Sequence, residues 1–349
     1  MTDDMADDTD RTDHTQMGVL LPSGANQWQE EVDPRRLIDF AVRAERLGFD
    51  SLWANDSLLS PRIEALTLLS ALASTTERVT LGTAALMPVL RRPVQAAQAL
   101  ASLDLLSGGR LVLGVGAGFP GRFGKPLYEL SDVPWERRFA RLDDTVALWR
   151  HLWGGTDTGS GSGSDTGGRI DAGSFHGAVL HYDGLPEATP GYRPGGPPVW
   201  LGAASPGALA RTGRLYDGWL PYPPDPADYA SGLADVRTAA AGAGRDPAAV
   251  TPAVYVTVLV ADDPERGRKD LDVYARANYG MPLAELSAIQ ALVSGPPETV
   301  LAELRRYTAA GARHLVVRVG AMGFTAQSEQ LERIAELIGA LRMPPRPHP

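Results

Sequence analysis

Short apolar runs alternate with amphipathic stretches eight times between residues 17 and 341, and nothing else in the chain restricts its fold so strongly. The apolar runs at 17–22, 51–54, 79–86, 110–115, 198–203, 218–221, 253–261 and 314–319 have the length and composition of buried strands. Helical spacing follows each of them, at about 34–47, 62–76, 93–106, 135–153, 206–215, 227–241, 297–310 and 327–341. A further helical region is expected around 264–292. In the first helix Leu37, Phe40, Ala41, Ala44 and Leu47 recur on one face, and Gly48 supplies a C-cap. Eight strand–helix units in order predict an α/β fold, a single (β/α)8 TIM barrel over 17–342, with its chemistry at the C-terminal ends of the strands. A doubly wound open sheet is the alternative; it needs fewer strands, or a second domain that the pattern does not contain. The length of 349 residues, taken alone, would suggest about two domains.

Only the segment 154–174 interrupts the rhythm, with a Gly/Ser/Thr/Asp tract expected to behave as a flexible surface loop rather than a linker, since the alternation resumes after it. Residues 1–16 carry six aspartates against Arg11 and read as a disordered acidic leader; 343–349 read as a tail. The leader accounts for more than half of the net charge of −9, so the barrel itself shows no basic footprint for nucleic acid. No secretory signal and no apolar stretch of about 18 residues is present, which predicts a cytoplasmic protein without a membrane partner. The chain has no cysteine, which excludes disulfides, thiolate metal sites and cysteine nucleophiles. Lys125 and Lys269 are the only lysines, and both fall outside the strands, against Schiff-base chemistry. No histidine spacing suits a metal, so none is expected: His14 and His348 are terminal, His151 is helical, His314 starts the eighth strand, and His176 and His181 would face opposite ways on one strand.

Four features remain as candidate chemistry. Gly116, Gly118 and Gly121 satisfy G-x-G-x-x-G, but Pro120 interrupts the run and no helix is expected to open over 122–132, so close approach of a flat ligand to backbone suits it better than a dinucleotide fold. A merely tight loop is the plain alternative. Ser205 and Pro206 form a helix start at a strand's C-terminal end, which suits a phosphate, although such caps are common without ligands. Thr83, Ala84 and Ala85 are small amid bulky neighbours and leave room for a planar ring, or for close helix packing. Asp56, with Glu64 eight residues on, is the best-placed carboxylate, as a catalytic group or as a loop cap. Asp104, near Gly108, reads as structural.

Taken together, several runs resemble the bacterial luciferase-like monooxygenase family. They are Ser-Leu-Trp-Ala-Asn-Asp at 51–56, Leu-Gly-Thr-Ala-Ala at 81–85, Arg92 with Pro93, and Ala-Ser-Leu-Asp-Leu-Leu-Ser-Gly-Gly-Arg at 101–110 leading into 113–118. The stretches 195–202 and 216–219 fit the same pattern. The resemblance implies a flavin or deazaflavin cofactor on the barrel, with a non-prolyl cis peptide at Ala84–Ala85 supporting its ring. Ala203, Ala204 and Ser205 would meet its phosphate, and Gly116, Gly118 and Phe119 would border the same pocket. Trp53, Ser57, Phe119 and Trp219 are expected around the substrate, with Asp56 as the polar group near the ring. Two departures stand out: Asp56 and Ser57 occupy the place where members often carry histidine, and Ala117 stands where bacterial luciferase has a phosphate-binding arginine, a loss that Arg122 would offset. The leading expectation is a monooxygenase using reduced FMN and O2 on a small organic substrate. Hydride transfer with coenzyme F420 and a non-catalytic flavin-binding protein are the alternatives, and the family implies a homodimer.

Overall fold

The chain's apolar runs close into a ring in the computed structural model, which describes residues 14–28, 33–58, 61–118, 124–154 and 173–343. Strands β1 (Gln16–Leu20), β2 (Ser51–Ala54), β3 (Thr80–Leu86) and β4 (Leu111–Val115) lie side by side in parallel. A separate antiparallel hairpin, β5 (Phe175–His176) and β6 (His181–Tyr182), follows. Strands β7 (Val199–Leu201), β8 (Gly218–Trp219) and β9 (Thr251–Val260) continue the ring; β10 (Leu292–Gly295) attaches to its side, and β11 (His314–Val319) closes it on β1. The barrel therefore consists of β1–β4, β7–β9 and β11, the eight parallel strands that the alternation predicts.

Around it run α1 (Arg36–Arg46), α2 (Ala65–Ala73), α3 (Pro93–Leu106), α4 (Lys125–Leu130), α5 (Arg138–Leu152), α6 (Pro206–Leu215) and α7 (Pro226–Gly242). Helices α8 (Pro264–Tyr279), α9 (Leu283–Leu286), α10 (Pro297–Ala309) and α11 (Phe324–Arg342) follow. Helices α3, α6, α7, α8 and α10 begin on proline, whose fixed φ suits the first turn and whose missing N–H costs nothing there. Asp225 and Asp263 cap α7 and α8 through the backbone N–H groups of Ala227 and Glu265.

Three expectations need correction. The helical region at 264–292 breaks after Tyr279 and Leu286, and Leu292–Gly295 is a strand. Strand β8 is only two residues long and pairs with Thr251 and Pro252, so the upper edge of the ten-residue β9 is open, and β10 fills it from Thr257 to Val260. Second, His176 and His181 sit opposite each other across the hairpin, ring centroids 5.9 Å apart, rather than on opposite faces of one strand. Third, α4 forms within 122–132, and its Tyr128 hydroxyl donates back to the Ala117 carbonyl at 2.7 Å; it opens well past Gly116 and Gly118.

Inside the ring two tryptophans pack among Leu20, Val112, Leu220 and Val316. Trp53 and Trp200 stack tilted at 5.3 Å, and His314 meets each edge-on. Glycines on neighbouring strands make room: a Cβ on Gly82 would lie 2.3 Å from the Trp53 ring, and one on Gly218 2.3 Å from Trp200. The Trp53 Nε1–H donates to Ser51 Oγ at 2.7 Å, which leaves the Ser51 hydroxyl to donate to His314 Nε2, also at 2.7 Å. Burial holds the His314 ring neutral, its pKa lowered to about 4. Outside the ring, Asp104 is buried where α3 ends and accepts from the Tyr192 N–H at 2.9 Å, the structural role read from its position; burial raises its pKa.

Residues 1–13 of the leader, 155–172 of the Gly/Ser tract and 344–349 of the tail lie outside the described residues, as do Phe119, Gly121 and Arg122; Gln16, at the end of the expected leader, belongs to β1. Among the described residues no helix is long and apolar enough to cross a membrane, and no cluster of side chains suits a metal ion.

Candidate functional site

At the C-terminal mouth of the barrel the small residues of three adjacent strands come together. Strand β3 bulges between Thr83 and Leu86, and the Ala84–Ala85 peptide in that bulge is cis. The Thr83 hydroxyl donates to the Gly114 carbonyl at 2.8 Å and the Gly116 N–H to the Leu86 carbonyl at 2.9 Å, so both sides of the bulge are tied to β4. A Cβ added to Gly116 would stand 3.9 Å from the Ala85 methyl, and one added to Gly202 would stand 3.8 Å from it. Ala84, Ala85, Gly116 and Gly202 are all half-buried, so together they form a shallow floor that any larger side chain would fill. Gly118, at φ +81°, turns the chain away beside the Met87 sulfur.

Next to the floor, β7 runs through Ala203 and the exposed Ala204 to Ser205, the N-cap of α6. The Ser205 side chain makes no capping hydrogen bond; Pro206 has no N–H, and the Ala208 and Leu209 N–H groups meet the Ser205 carbonyl, so the Ser205 hydroxyl and the Gly207 N–H are the donors left to an anion at this end. Trp219 holds this segment rather than lining a pocket. Its ring is fully buried outside the barrel, stacked on Tyr229 of α7 at 5.1 Å, and its Nε1–H donates to the Ala203 carbonyl at 2.8 Å. Trp53 is likewise corrected: it plugs the barrel beneath the mouth and presents no surface to a substrate.

Asp56 follows β2 at the rim, and both carboxylate oxygens are engaged. Oδ2 accepts from Arg91 Nη1 at 2.6 Å and from the Met87 N–H at 3.0 Å, while Oδ1 accepts from Arg91 Nη2 at 3.2 Å. Arg91 also reaches Glu64 Oε1 at 2.8 Å, and Glu64 caps α2 through the Thr67 N–H. Burial pulls the Arg91 pKa down, but the two carboxylates outweigh it and hold the cation charged. Asp56 therefore ties the loop after β2 to the chain leaving the Ala84–Ala85 bulge, a positioning contact that leaves no lone carboxylate oxygen facing a ligand. Beside it, Ser57 lines a cavity of about 640 Å³ together with Asp56, Arg62, Met87 and Arg91.

Opposite the floor stands a group that motif reading missed. Arg318, on the inward face of β11, is buried and donates to the Tyr279 hydroxyl at 2.9 Å and to Asn278 Oδ1 at 3.1 Å, both at the end of α8. Its guanidinium lies over the Tyr274 ring at 5.2 Å and 3.5 Å from the Tyr255 hydroxyl. Burial pushes the Tyr255 pKa far up, so this phenol keeps its proton and can donate but not abstract. One signal was available: in His-Leu-Val-Val-Arg-Val at 314–319, an arginine shares a face with His314 and Val316 at the C-terminal end of a barrel strand.

The comparisons with known proteins bear on this geometry. The family profile described as luciferase-like monooxygenase matches residues 15–314. A protein of Nakamurella multipartita named F420-dependent glucose-6-phosphate dehydrogenase is 31% identical over 350 aligned positions, covering 90% of this chain and 93% of that protein. Among solved structures, an F420-dependent secondary alcohol dehydrogenase in complex with an F420–acetone adduct superposes with a TM-score of 0.71 at 18% identity, over 95% of this chain and all of the other. A monooxygenase from Streptomyces bottropensis superposes with a TM-score of 0.70 at 20% identity, over 93% of this chain and 99% of the other. Both structural likenesses establish the barrel and are silent on the chemistry. With the barrel, the cis peptide in its third strand and a profile match over most of its length, the chain belongs to the luciferase-like monooxygenase family.

Proposed function

We propose that the protein is an F420-dependent oxidoreductase that exchanges a hydride with a polar small molecule. Its family makes it an oxidoreductase of the flavin- or deazaflavin-dependent kind; the choice of F420 is carried by the full-length relative named for that cofactor. This reverses the leading expectation of reduced FMN and O2. A floor of two methyl groups and two glycines accepts either tricyclic ring.

The floor fits such a ring. Ala84, Ala85, Gly116 and Gly202 would carry one face of it, and Ala203, Ala204 and Ser205 with the α6 N-terminus would hold its phosphate. When bound, the deazaflavin would supply two-electron hydride exchange. Asp56 and Arg91 hold the loop after β2 to the chain leaving the Ala84–Ala85 bulge. The Arg318 wall orients the substrate above it, and the Tyr255 hydroxyl, proton retained, donates a hydrogen bond there.

Titrating the protein with F420 and separately with FMN, following absorbance and fluorescence, tests the cofactor. F420 binding at micromolar concentration is expected, followed by F420 reduction with glucose 6-phosphate or a related alcohol. Binding of FMN alone, with O2 consumed when it is reduced, would overturn the reading.

A further inference from the structure

We propose that Arg318 is the subsite for an oxyanion carried by the substrate, a carboxylate or a phosphate. On the hydride-transfer reading above, on which this inference rests, the chain then acts on an anionic alcohol or the matching carbonyl compound.

The argument starts from a buried charge with only neutral neighbours. Arg318 is 9% exposed, and the groups that hold it are two phenols, an amide oxygen and an aromatic face. Among the described residues no carboxylate lies within ion-pair distance of it, and its Nε finds no hydrogen-bond acceptor. Hydrogen bonds to neutral oxygens satisfy the N–H directions but leave the net charge uncompensated, which is costly in a buried setting. If its only task were to fasten α8 to the barrel, a neutral side chain would do so without that cost.

Arg62 sharpens the point. It lines the cavity beside Asp56, and its pKa is lowered first by burial and then by the charge of Arg318, with Asp56 opposing in part. Arg318 sits at the C-terminal end of β11, and Tyr255, within reach of it, packs against the same barrel-interior cluster as Ala84 of the floor. A fork of N–H donors is the arrangement that recognises carboxylate or phosphate in preference to a hydroxyl.

The test compares the wild-type chain with Arg318→Gln, Arg318→Lys and Tyr279→Phe, each titrated calorimetrically with inorganic phosphate and with acetate, with and without F420. F420 affinity is measured separately by fluorescence. Whichever anion binds the wild type is expected to bind Arg318→Gln about tenfold or more weakly, the loss of a hydrogen bond to a charged group. F420 affinity should stay within about twofold, as expected of a substitution outside the cofactor floor. Lysine should restore part of the anion affinity, and Tyr279→Phe should lower it by freeing the guanidinium. The same anion should raise the unfolding temperature of the wild type and not of Arg318→Gln. Equal anion binding by wild type and Arg318→Gln, or no anion binding to a protein that binds F420, overturns the proposal. So does a matching loss of F420 affinity, which would assign the guanidinium to the cofactor. Arg318-dependent anion binding without F420 binding supports the subsite and overturns the cofactor reading instead. If Arg318→Gln fails to fold, the lysine and Tyr279→Phe variants carry the same comparison.

Discussion

Replacing His314 by glutamine probes the barrel interior through its response to pH. In the folded chain the neutral imidazole accepts from the Ser51 hydroxyl, which itself accepts from Trp53, and burial lowers the imidazole pKa to about 4. In the unfolded chain it titrates near the ordinary value of about 6.5. Between these values the unfolded chain binds more protons than the folded one, so stability is intact above the upper value and falls as pH falls. The slope approaches about 1.4 kcal/mol per pH unit, and the loss across the window sums to about 3 kcal/mol. Glutamine keeps an acceptor for Ser51 and does not titrate. Urea unfolding of both proteins between pH 7 and pH 4.5 gives the check. The gap between their stabilities should narrow, or change sign in favour of the variant, by about 2 kcal/mol on acidification. Carboxylates that titrate at the lower end affect both proteins alike and cancel in the difference. Parallel curves over the whole range refute the account, because a neutral buried imidazole would then have no counterpart in the proton balance.

Gly82→Ala drives a methyl group into the Trp53 ring and should cost about 1–3 kcal/mol in denaturant unfolding. Gly116→Val fills the floor beneath the proposed ring: F420 affinity should fall at least about tenfold in fluorescence titration, a loss of about 1.4 kcal/mol, with the thermal midpoint nearly unchanged. Asp56→Asn breaks the pairing with Arg91 at a partly exposed rim and should cost about 1–3 kcal/mol of stability. Its steady-state pH profile should keep its shape, since a positioning carboxylate removes no proton; loss of one limb of that profile would make Asp56 the acid or base.

Much of the architecture was legible before folding. Eight apolar runs separated by helical spacing admit few solutions other than a closed parallel barrel, and the prolines that start α3, α6, α7, α8 and α10 mark boundaries by local geometry alone. The cis peptide at Ala84–Ala85 stands where the family resemblance placed it. The sidedness of individual residues was not legible. Strand β2 is buried along its whole length and so is β8, so neither carries the polar alternation that would show which face looks inward. Trp53 and Trp219 could be ranked as bulky and buried, but their places, inside the barrel for one and against α7 for the other, depend on where each strand sits in the closed ring. Asp56 met its partner Arg91 only through the turn after the β3 bulge, 35 positions further on. The Arg318 wall is the extreme case: Arg62, Tyr255, Asn278, Tyr279 and Arg318 come from four separate segments, and none forms a motif with its sequence neighbours. Periodicity is a local property, so it reports elements and their order. The mouth of the barrel exists only once ring closure brings the strand ends together.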